Sequence, residues 1–356
     1  MRSYALLVIP ARMGYLTFQK GGLAMFERTV LVTGAGGFIG SFLCRRLSAN
    51  GYRIRALAFP GEDVRQLHDL GAEIRVGDLT KPETLQGIAD GVDSVYHLAG
   101  RVTDWGPKKV FYSAIVDATK NLLAESACMI SRFVYVSSFC ACGMGRHFKG
   151  MREDDPVYKT GIPYGDAKLE AEELVKEYHR KKGMVYTIVR PANVVGPGSI
   201  WVKDVFARLQ KSAVPLIDHG HYSASLISVE NLVDGLVLAG SKDEAKNNTY
   251  FFRDDWDVTW KRYLSDLGSI AGKTPALSVP FRLAWTAAAV SEMLYAPFHK
   301  RPPATRAAVA IMGRDLDVDT AKAKKELGWK TRVTYEQAMA TIEAWIRAEL
   351  LIREPQ

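Results

Sequence analysis

The chain has 356 residues, of which 47% are hydrophobic and 24% are charged, and its formal net charge is +8. This length and composition are those of a globular protein, either one large α/β unit or a nucleotide domain with a smaller lobe, and they exclude collagen-like and disordered chains. The basic side chains are scattered among acids, and no basic face carries stacking aromatic residues, so the sequence predicts no nucleic-acid partner. Four irregularly spaced cysteines indicate neither a disulfide framework nor a metal site, which favours a reducing cytoplasm.

The first 25 residues differ from the glycine-rich region that follows them. Their apolar stretch is too short for the central region of a signal peptide, and Met25 has the position of a natural start. We therefore expect residues 1–25 to form an extension outside the folded core. No apolar run approaches the ~20 residues that a membrane span requires.

From Thr29 onward, short β-branched runs alternate with helical stretches, which is typical of a parallel sheet covered on both faces. The predicted strands are residues 29–33, 53–57, 73–76, 94–98, 132–137 and 185–190, and the clearest helices between them are 38–48 and 167–181. This pattern predicts an α/β fold with a Rossmann-type doubly wound parallel sheet.

After Arg190 the alternation weakens, and segments rich in proline, glycine and aromatic residues appear. Residues 223–239 return to a strand followed by a helix, and residues 248–252 read as another strand. The sequence thus predicts a dinucleotide-binding domain of residues 26–196, to which 223–252 return, and a smaller interleaved C-terminal substrate lobe of residues 197–222 and 253–356.

A glycine-rich turn, Gly34-Ala35-Gly36-Gly37-Phe38-Ile39-Gly40, joins the first of these strands to an amphipathic helix. Gly34 permits the tight turn, Gly37 lets backbone N–H groups approach a pyrophosphate, and Gly40 lets the helix pack closely on its strand. A glycine triplet alone is a weak signal, but its place between a strand and a helix makes it a strong one. The predicted cofactor contacts here are Gly34, Gly37, Phe38, Ile39 and Gly40.

Tyr164 and Lys168 lie one helical turn apart, so both side chains emerge on one face of the predicted helix. A tyrosine with a pKa near ~10 is a poor base at neutral pH, but an adjacent ammonium group favours its phenolate. A tyrosine and a lysine at this spacing often occur by chance, and the alternative interpretation is that Tyr164 starts a helix and Lys168 is a surface charge. Together with the glycine-rich turn upstream, the pair predicts a proton-transfer site.

The glycine spacing after a threonine resembles the TGxxGxxG motif of the extended short-chain dehydrogenases, the NAD-dependent epimerase/dehydratase superfamily, and Tyr164 with Lys168 resembles its YxxxK motif. The resemblance implies a third catalytic group, a hydroxyl after the fifth strand that binds the substrate oxygen. Ser137 and Ser138 compete for this role. We choose Ser138 because it lies five residues before Gly143, as in the S/T-x-x-V-Y-G stretch of related enzymes.

The same resemblance implies further cofactor contacts at the ends of the other strands. Asp78, after the third strand, is expected to contact the adenine, and the segment after the sixth strand is expected to lie beside the nicotinamide. With Tyr164 and Lys168, the implied contacts are Phe59, Asp78, Leu79, Leu98, Ala99, Gly100, Pro191 and Asn193.

The second strand ends without the acidic residue that selects NAD or the arginine that selects NADP. Phe59 occupies the position where NADP-dependent relatives often carry arginine, and Arg65 is a candidate substitute. We expect NAD as the cofactor, with NADP as the alternative.

The segments 190–198 and 227–235 resemble the branch that contains 3β-hydroxysteroid dehydrogenases and sterol-4α-carboxylate 3-dehydrogenases. This implies a dehydrogenase or ketoreductase for a bulky, apolar, sterol-like alcohol. A nucleotide-sugar epimerase or dehydratase with tightly bound NAD is the alternative, and Arg208, Arg253 and Arg314 are its candidate pyrophosphate ligands. A cofactor-sensing protein without catalysis ranks last, because both Tyr164 and Lys168 are present.

Residues 279–303 contain an apolar centre that is too short to span a bilayer and is flanked by basic residues. We expect a helix there. Trp285 is the candidate residue for contact with a greasy substrate or with a membrane surface, whereas the plain alternative is a core helix of the substrate lobe. The sequence also leaves open a peripheral membrane association and a homodimer.

Overall fold

The computed structural model describes residues 16–19, 22–25, 28–211, 214–273, 277–298 and 300–351. Its strands are β1 (Leu16–Gln19), β2 (Gly22–Met25), β3 (Thr29–Thr33), β4 (Arg53–Ala58), β5 (Glu73–Val76), β6 (Ser94–His97), β7 (Arg132–Val136), β8 (Phe148–Met151), β9 (Tyr186–Pro191), β10 (Asn193–Val195), β11 (Leu216–Ile217), β12 (Leu226–Ser228), β13 (Asn248–Phe252), β14 (Ser278–Val279) and β15 (Leu316–Val318).

The α-helices are α1 (Phe38–Ala49), α2 (Arg65–Asp69), α3 (Lys108–Tyr112), α4 (Ala118–Ser126), α5 (Pro163–Lys182), α6 (Ile200–Lys211), α7 (Val229–Ser241), α8 (Trp260–Ile270), α9 (Phe281–Tyr295), α10 (Arg306–Met312) and α11 (Tyr335–Ile346). The shorter helical turns are Pro82–Thr84, Phe139–Cys142, Asp218–Gly220, Asp243–Ala245 and Ala296–Phe298 of the 3-10 type, and Ser113–Asp117, Ala323–Leu327 and Arg347–Leu351 of the π type.

Seven parallel strands form the central sheet in the order β13-β9-β7-β6-β3-β4-β5. Strand β3 lies between β6 and β4, and the chain builds outward from it first through β4 and β5 and then through β6, β7, β9 and finally β13. The direction of winding reverses between β3 and β6, so the loops that follow these two strands diverge and leave a crevice at their carboxyl ends. The predicted Rossmann-type doubly wound sheet is confirmed.

Successive side chains of a strand point to opposite faces of the sheet. Both faces of this sheet are apolar, and helices cover both of them. Val30 and Val32 of β3 pack into the core on the face covered by α1 and α7, whereas Leu31 packs into the core on the face covered by α4 and α5. Buried residues on both sides explain why the strands are continuous apolar runs rather than alternating ones.

Helix α5 carries the Tyr164–Lys168 pair and has clear sequence signals at both ends. Pro163 occupies its first turn, where a backbone N–H would have no acceptor within the helix, so the N–H that proline lacks costs nothing. Gly183 ends the helix with φ of 70°, in the left-handed region. The helix begins four residues earlier than the predicted 167–181, because the proline initiates it rather than precedes it.

The chain after β9 builds small two-stranded units beside the main sheet. Strand β10 pairs with β12, β11 with β14, and β15 with β8, each in parallel. Strand β13 returns to the edge of the main sheet beside β9, where the Glu153 carboxylate accepts a hydrogen bond from the Phe251 N–H. Most of the predicted extension 1–25 lies outside the described residues, and its two described strands, β1 and β2, pair with each other.

Candidate active site

The glycine-rich turn between β3 and α1 is closed so tightly that side chains are excluded from it. Gly34 has φ of 67°, and a Cβ atom on Gly40 would lie 2.0 Å from the Gly34 carbonyl oxygen. No side chain caps the start of α1 at Gly37, so the first N–H groups of this helix remain for an anionic ligand. Phe38 and Ile39 form the first turn of α1 and are half-buried. This cradle fits the pyrophosphate of a dinucleotide.

The end of β6 brings a second segment to the same crevice. The Ala99 N–H donates a hydrogen bond to the Thr33 hydroxyl at 3.2 Å, which ties the loop after β6 to the end of β3 across the switch point. A Cβ atom on Gly100 would lie 3.7 Å from Nζ of Lys168. Leu98, Ala99 and Gly100 therefore lie between the glycine-rich turn and helix α5.

Buried His97 connects these segments through a directional series of hydrogen bonds. The Thr119 hydroxyl donates to the Ile115 carbonyl at 2.6 Å, so it accepts from Nε2 of His97 at 2.9 Å. Nδ1 of His97 then accepts from the Thr33 hydroxyl at 2.7 Å. Burial, and next the charge of Lys168, lower the pKa of His97 to about 3, so this imidazole stays neutral.

The three predicted catalytic side chains converge at the carboxyl end of β7. The Tyr164 phenol interacts with the Ser138 hydroxyl, which also accepts a hydrogen bond from the Cys140 N–H at 3.2 Å. Nζ of Lys168 donates to the Val136 carbonyl oxygen at 2.8 Å. The structure brings Ser138, Tyr164 and Lys168 to the end of β7, and Lys168 also lies beside Gly100.

The neighbouring Ser137 hydroxyl is engaged elsewhere. It donates a hydrogen bond of 2.5 Å to the carboxylate of Glu172, which is fully buried on α5 and also accepts two hydrogen bonds from Arg190. Of the two serines that compete for the catalytic role, Ser138 is thus the one whose hydroxyl lies beside Tyr164. Sequence reasoning missed the roles of Glu172 and Arg190, although Glu172 stands one helical turn after Lys168.

Burial dominates the protonation of the central pair. It raises the pKa of Tyr164 well above its usual range, and the hydrogen bond from Ser138 opposes this effect only in part. Burial lowers the pKa of Lys168 to about 8, against the opposing charge of Glu172. The expected phenolate therefore needs additional positive charge at this site, and a nicotinamide ring in its oxidised form carries such a charge.

The residues expected around the adenosine lie beyond the ends of β4 and β5. Phe59 is 60% exposed, and Asp78, next to Leu79, accepts two hydrogen bonds from Thr80. Arg65, the candidate ligand of an NADP phosphate, is exposed and forms a bidentate ion pair with Asp63.

Sequence reasoning missed Glu62 in this region. One of its carboxylate oxygens accepts a hydrogen bond from the Phe59 N–H at 2.9 Å, and the other would lie 2.5 Å from a Cβ atom on Gly36. An acidic side chain therefore lies directly against the phosphate-binding turn. It follows the strand end by four residues, which is why a search at the end of β4 does not find it.

Pro191 and Asn193 lie on either side of the bend from β9 to β10. Pro191 pairs with Phe252 in the sheet, and the Asn193 amide donates a hydrogen bond of 2.8 Å to the Ala224 carbonyl. Asn193 is buried, and the bond that its side chain makes joins β10 to the segment before β12. Within the described ranges, no group of acidic, histidine or cysteine side chains is arranged to hold a metal ion.

A model of the NAD dependent epimerase/dehydratase family matches residues 30–251 of the chain. The 4-hydroxy-2-methyl-3-oxo-4-farnesyl-3,4-dihydroquinoline-1-oxide ketoreductase of Stigmatella aurantiaca is 30% identical over 86% of this chain and 93% of its own length. The 2-alkyl-3-oxoalkanoate reductase of Shewanella oneidensis is 27% identical over 88% and 85%. The 3-beta-hydroxysteroid dehydrogenase of Mycolicibacterium neoaurum is 27% identical over 87% and 89%.

The solved crystal structure of gox2253 superposes with a TM-score of 0.75 at 28% identity, over 90% of this chain and 98% of that one. The family model and the ketoreductase both cover most of the sheet and the whole catalytic region. They confirm the superfamily that the motifs resemble, its oxidoreductase chemistry and NAD as its cofactor. The chain belongs to the NAD dependent epimerase/dehydratase family.

Proposed function

We propose that this protein interconverts a ketone and a secondary alcohol on a bulky apolar substrate, with NAD or NADP as the hydride carrier. The observation that carries the proposal is the convergence of the Ser138 and Tyr164 hydroxyl groups beside buried Lys168. A 3β-hydroxysteroid or sterol is one member of the proposed substrate class, and long-chain 3-oxo compounds are another.

The side chains divide the proton chemistry between them. In the direction of ketone reduction, the Tyr164 hydroxyl donates its proton to the carbonyl oxygen, to which the Ser138 hydroxyl donates a hydrogen bond. The Lys168 ammonium stabilises the phenolate that remains, and in the oxidative direction the same phenolate accepts the proton of the alcohol. The glycine-rich turn would hold the dinucleotide, which would supply the hydride in its reduced form and accept it in its oxidised form.

Two named relatives support an apolar ketone as the substrate. One acts as a ketoreductase on a farnesyl dihydroquinoline oxide, and the other reduces 2-alkyl-3-oxoalkanoates. Both names describe a carbonyl compound that carries a hydrocarbon arm, which is farnesyl in one and alkyl in the other. We propose that residues 197–222 and 253–356 of this chain form the lobe that holds such an arm.

The contacts of three arginines count against a nucleotide-sugar substrate. Arg253 pairs with Asp317 at 3.1 Å, Arg314 donates to the Gly145 carbonyl, and Arg208 reaches the Pro303 carbonyl at 3.4 Å. Each guanidinium group already has a protein partner, and these partners lie in different segments. A pyrophosphate clamp would require at least two of them to turn toward one point.

The second part of the proposal is a peripheral membrane contact. The structure favours other residues for this contact than Trp285, which the sequence analysis proposed. Trp285 is half-buried and stacks on Phe281 at 5.6 Å, so it faces the protein. The exposed side of α9 and of the turn after it is nevertheless apolar, through Leu283, Val290, Met293, Leu294 and Phe298. We call these five side chains the apolar row, and we propose that a cytoplasmic enzyme uses it to reach substrates held in a lipid surface.

The test of the activity is a substrate panel with purified protein. NADH and NADPH are each supplied with a 3-ketosteroid, a 2-alkyl-3-oxoalkanoic acid, UDP-glucose and dTDP-glucose, and the nicotinamide absorbance is followed. We expect oxidation of the nicotinamide with the apolar ketones only. Tyr164→Phe is the negative control, because it removes the proton donor and leaves the phosphate cradle intact. We expect its turnover to fall by about 10²-fold or more and its dinucleotide affinity to be retained.

Two results contradict the proposal in different ways. Conversion of a nucleotide sugar without net oxidation of added NADH assigns the epimerase chemistry instead. Turnover of a ketone at the full rate by Tyr164→Phe removes the assignment of the proton donor while leaving the substrate class intact.

A further inference from the structure

A buried ion pair lies directly behind the three catalytic side chains. Glu172 of α5 and Arg190 of β9 are 0% and 2% exposed, and two hydrogen bonds of 3.0 and 2.7 Å join them. The ion pair places a negative and a positive charge inside the core, and Glu172 lies one helical turn after Lys168 on α5.

Stability alone gives a weak reason for this pair. Desolvating two charges costs about as much as their attraction returns, and an apolar pair of similar volume is often as stable. The pair also leaves one guanidinium nitrogen of Arg190, Nη1, without a hydrogen-bond partner among the described residues. Its main compensation is the ring of Phe251, whose centroid lies 5.3 Å from the guanidinium carbon. This cost points to a role other than stability.

One hydrogen bond and one helical position connect Glu172 to the catalytic groups. Its carboxylate accepts the Ser137 hydroxyl hydrogen at 2.5 Å, and Ser137 directly precedes Ser138. Its position on α5 is one turn after Lys168, on the same face of the helix. Lys168 in turn donates to the carbonyl of Val136, the residue before Ser137. The carboxylate thus contacts the strand end, and its residue shares one face of α5 with Lys168.

We propose that Glu172 is a positioning residue for this reaction: held by Arg190, it fixes the strand end that carries Ser138 and supplies the negative charge that balances the Lys168 ammonium. This proposal rests on the proposed function for the role of Lys168. It does not depend on which ketone is the substrate.

The other groups that face Lys168 cannot provide this balance. His97 of β6 is neutral, and Tyr135 of β7, whose ring lies 5.1 Å from Nζ, has its pKa raised far above the neutral range by burial. Tyr164 is also protonated in the absence of the cofactor, because burial raises its pKa. Glu172 is the charged group that opposes burial in keeping the Lys168 pKa as high as about 8.

The sign of the pH effect follows from these charges. Removal of the Glu172 charge disfavours the ammonium form and leaves Arg190 as an uncompensated cation, so the pKa of Lys168 falls. We expect Glu172→Gln to lower it by about one pH unit or more. The alkaline limb of kcat/KM moves to lower pH by the same amount, and the affinity for NAD stays within about twofold because the phosphate cradle is untouched.

The direct measurement is an NMR titration of protein labelled with ¹³C in the lysine ε-carbon, with the Lys168 signal assigned by comparison with Lys168→Arg. This readout requires no substrate, so it stands even if the substrate panel fails. Glu173→Gln is the matched control, since Glu173 is the next residue, is exposed and, among the residues that the structure describes, pairs with Lys176 on the outer face of α5. It is expected to leave the titration and the rate unchanged.

A second variant covers the case in which Glu172→Gln does not fold. The double variant Glu172→Gln/Arg190→Met removes both charges together and avoids an unpaired buried cation. We still expect the Lys168 titration to move to lower pH in it, whereas Glu172→Asp, which keeps the charge, stays within about half a pH unit of the unchanged protein. A Lys168 titration that is the same in all of these variants overturns the proposal and leaves Glu172 with a packing role alone.

Discussion

Choice between NAD and NADP depends on single charges near the adenosine ribose, since the two dinucleotides differ there by one phosphate group. In this fold the ribose lies beyond the end of the second strand of the sheet, which is β4 here. Glu62 brings a carboxylate to that place, against Gly36, and Arg65 is neutralised by Asp63. A carboxylate accepts a hydrogen bond from a 2′-hydroxyl group and repels a 2′-phosphate.

We therefore predict that the protein binds NAD more tightly than NADP and that Glu62→Gln narrows the difference. The neutral amide keeps the shape of the side chain and removes the repulsion, so the ratio of the two dissociation constants changes by about tenfold in favour of NADP. Fluorescence titration with each dinucleotide measures the ratio. Glu343→Gln, an exposed charge change on α11, is the control, and equal ratios in all three proteins would remove Glu62 from cofactor selection.

At the level of elements, the contact between α1 and the glycine-rich turn carries the cofactor cradle. An added Cβ on Gly40 would lie 2.0 Å from the Gly34 carbonyl oxygen and 2.9 Å from Cα of Ala35. Both of these atoms belong to the backbone, so no flexible side chain can yield. The helix would have to move away from the strand that it covers.

We expect Gly40→Ala to lower the free energy of unfolding by about 1–3 kcal/mol and to weaken NAD binding at least tenfold. Ser48→Ala, in the last turn of the same helix, is the control for a general effect on α1. Urea unfolding and NAD titration on the two variants measure both quantities. Normal NAD affinity in Gly40→Ala would show that the cradle does not need this close approach.

The strands of the main sheet could be predicted because each is a short apolar run buried on two faces, and a local pattern specifies such a run. Their predicted ends differ from the observed ones by one residue at β4, β6, β7 and β9, where the chain leaves the sheet. Ser138, Tyr164 and Lys168 could be proposed as site residues from local spacing and the family motifs that it resembles. The partners of Glu172 and His97 could not, because they come from strands and helices that are distant in the sequence.

At the scale of the whole molecule, an overall charge of +8 combines with an apolar surface on one helix. Of the five members of the apolar row, Leu283, Met293 and Phe298 are the most exposed, at 64%, 67% and 71%. Arg282 lies beside the start of the row and Lys300 beyond its end, and both are exposed. No helix in the described ranges has the length and apolar character to cross a bilayer. An apolar face bordered by cations fits the surface of an anionic membrane.

We expect the full chain to sediment with vesicles of phosphatidylcholine and phosphatidylglycerol, and to do so less with phosphatidylcholine alone. Leu294→Glu, within the row, places a charge at the lipid surface. We expect it to reduce vesicle binding by about tenfold, because the free energy gained by burying one leucine side chain in lipid is lost. Its unfolding temperature and NAD affinity stay unchanged, since Leu294 is 58% exposed. Met129→Glu, at a similarly exposed apolar position outside the row, is the control.

The same variants separate membrane contact from substrate contact. If the row only docks on lipid, Leu294→Glu raises the KM for an apolar ketone presented in vesicles and leaves the KM for a dissolved short-chain ketone as it was. If the row lines the substrate site, both KM values rise. Equal sedimentation of the variant and the unchanged protein, with equal KM values, would rule out both uses of this face, because a buried charge on either surface must cost binding energy.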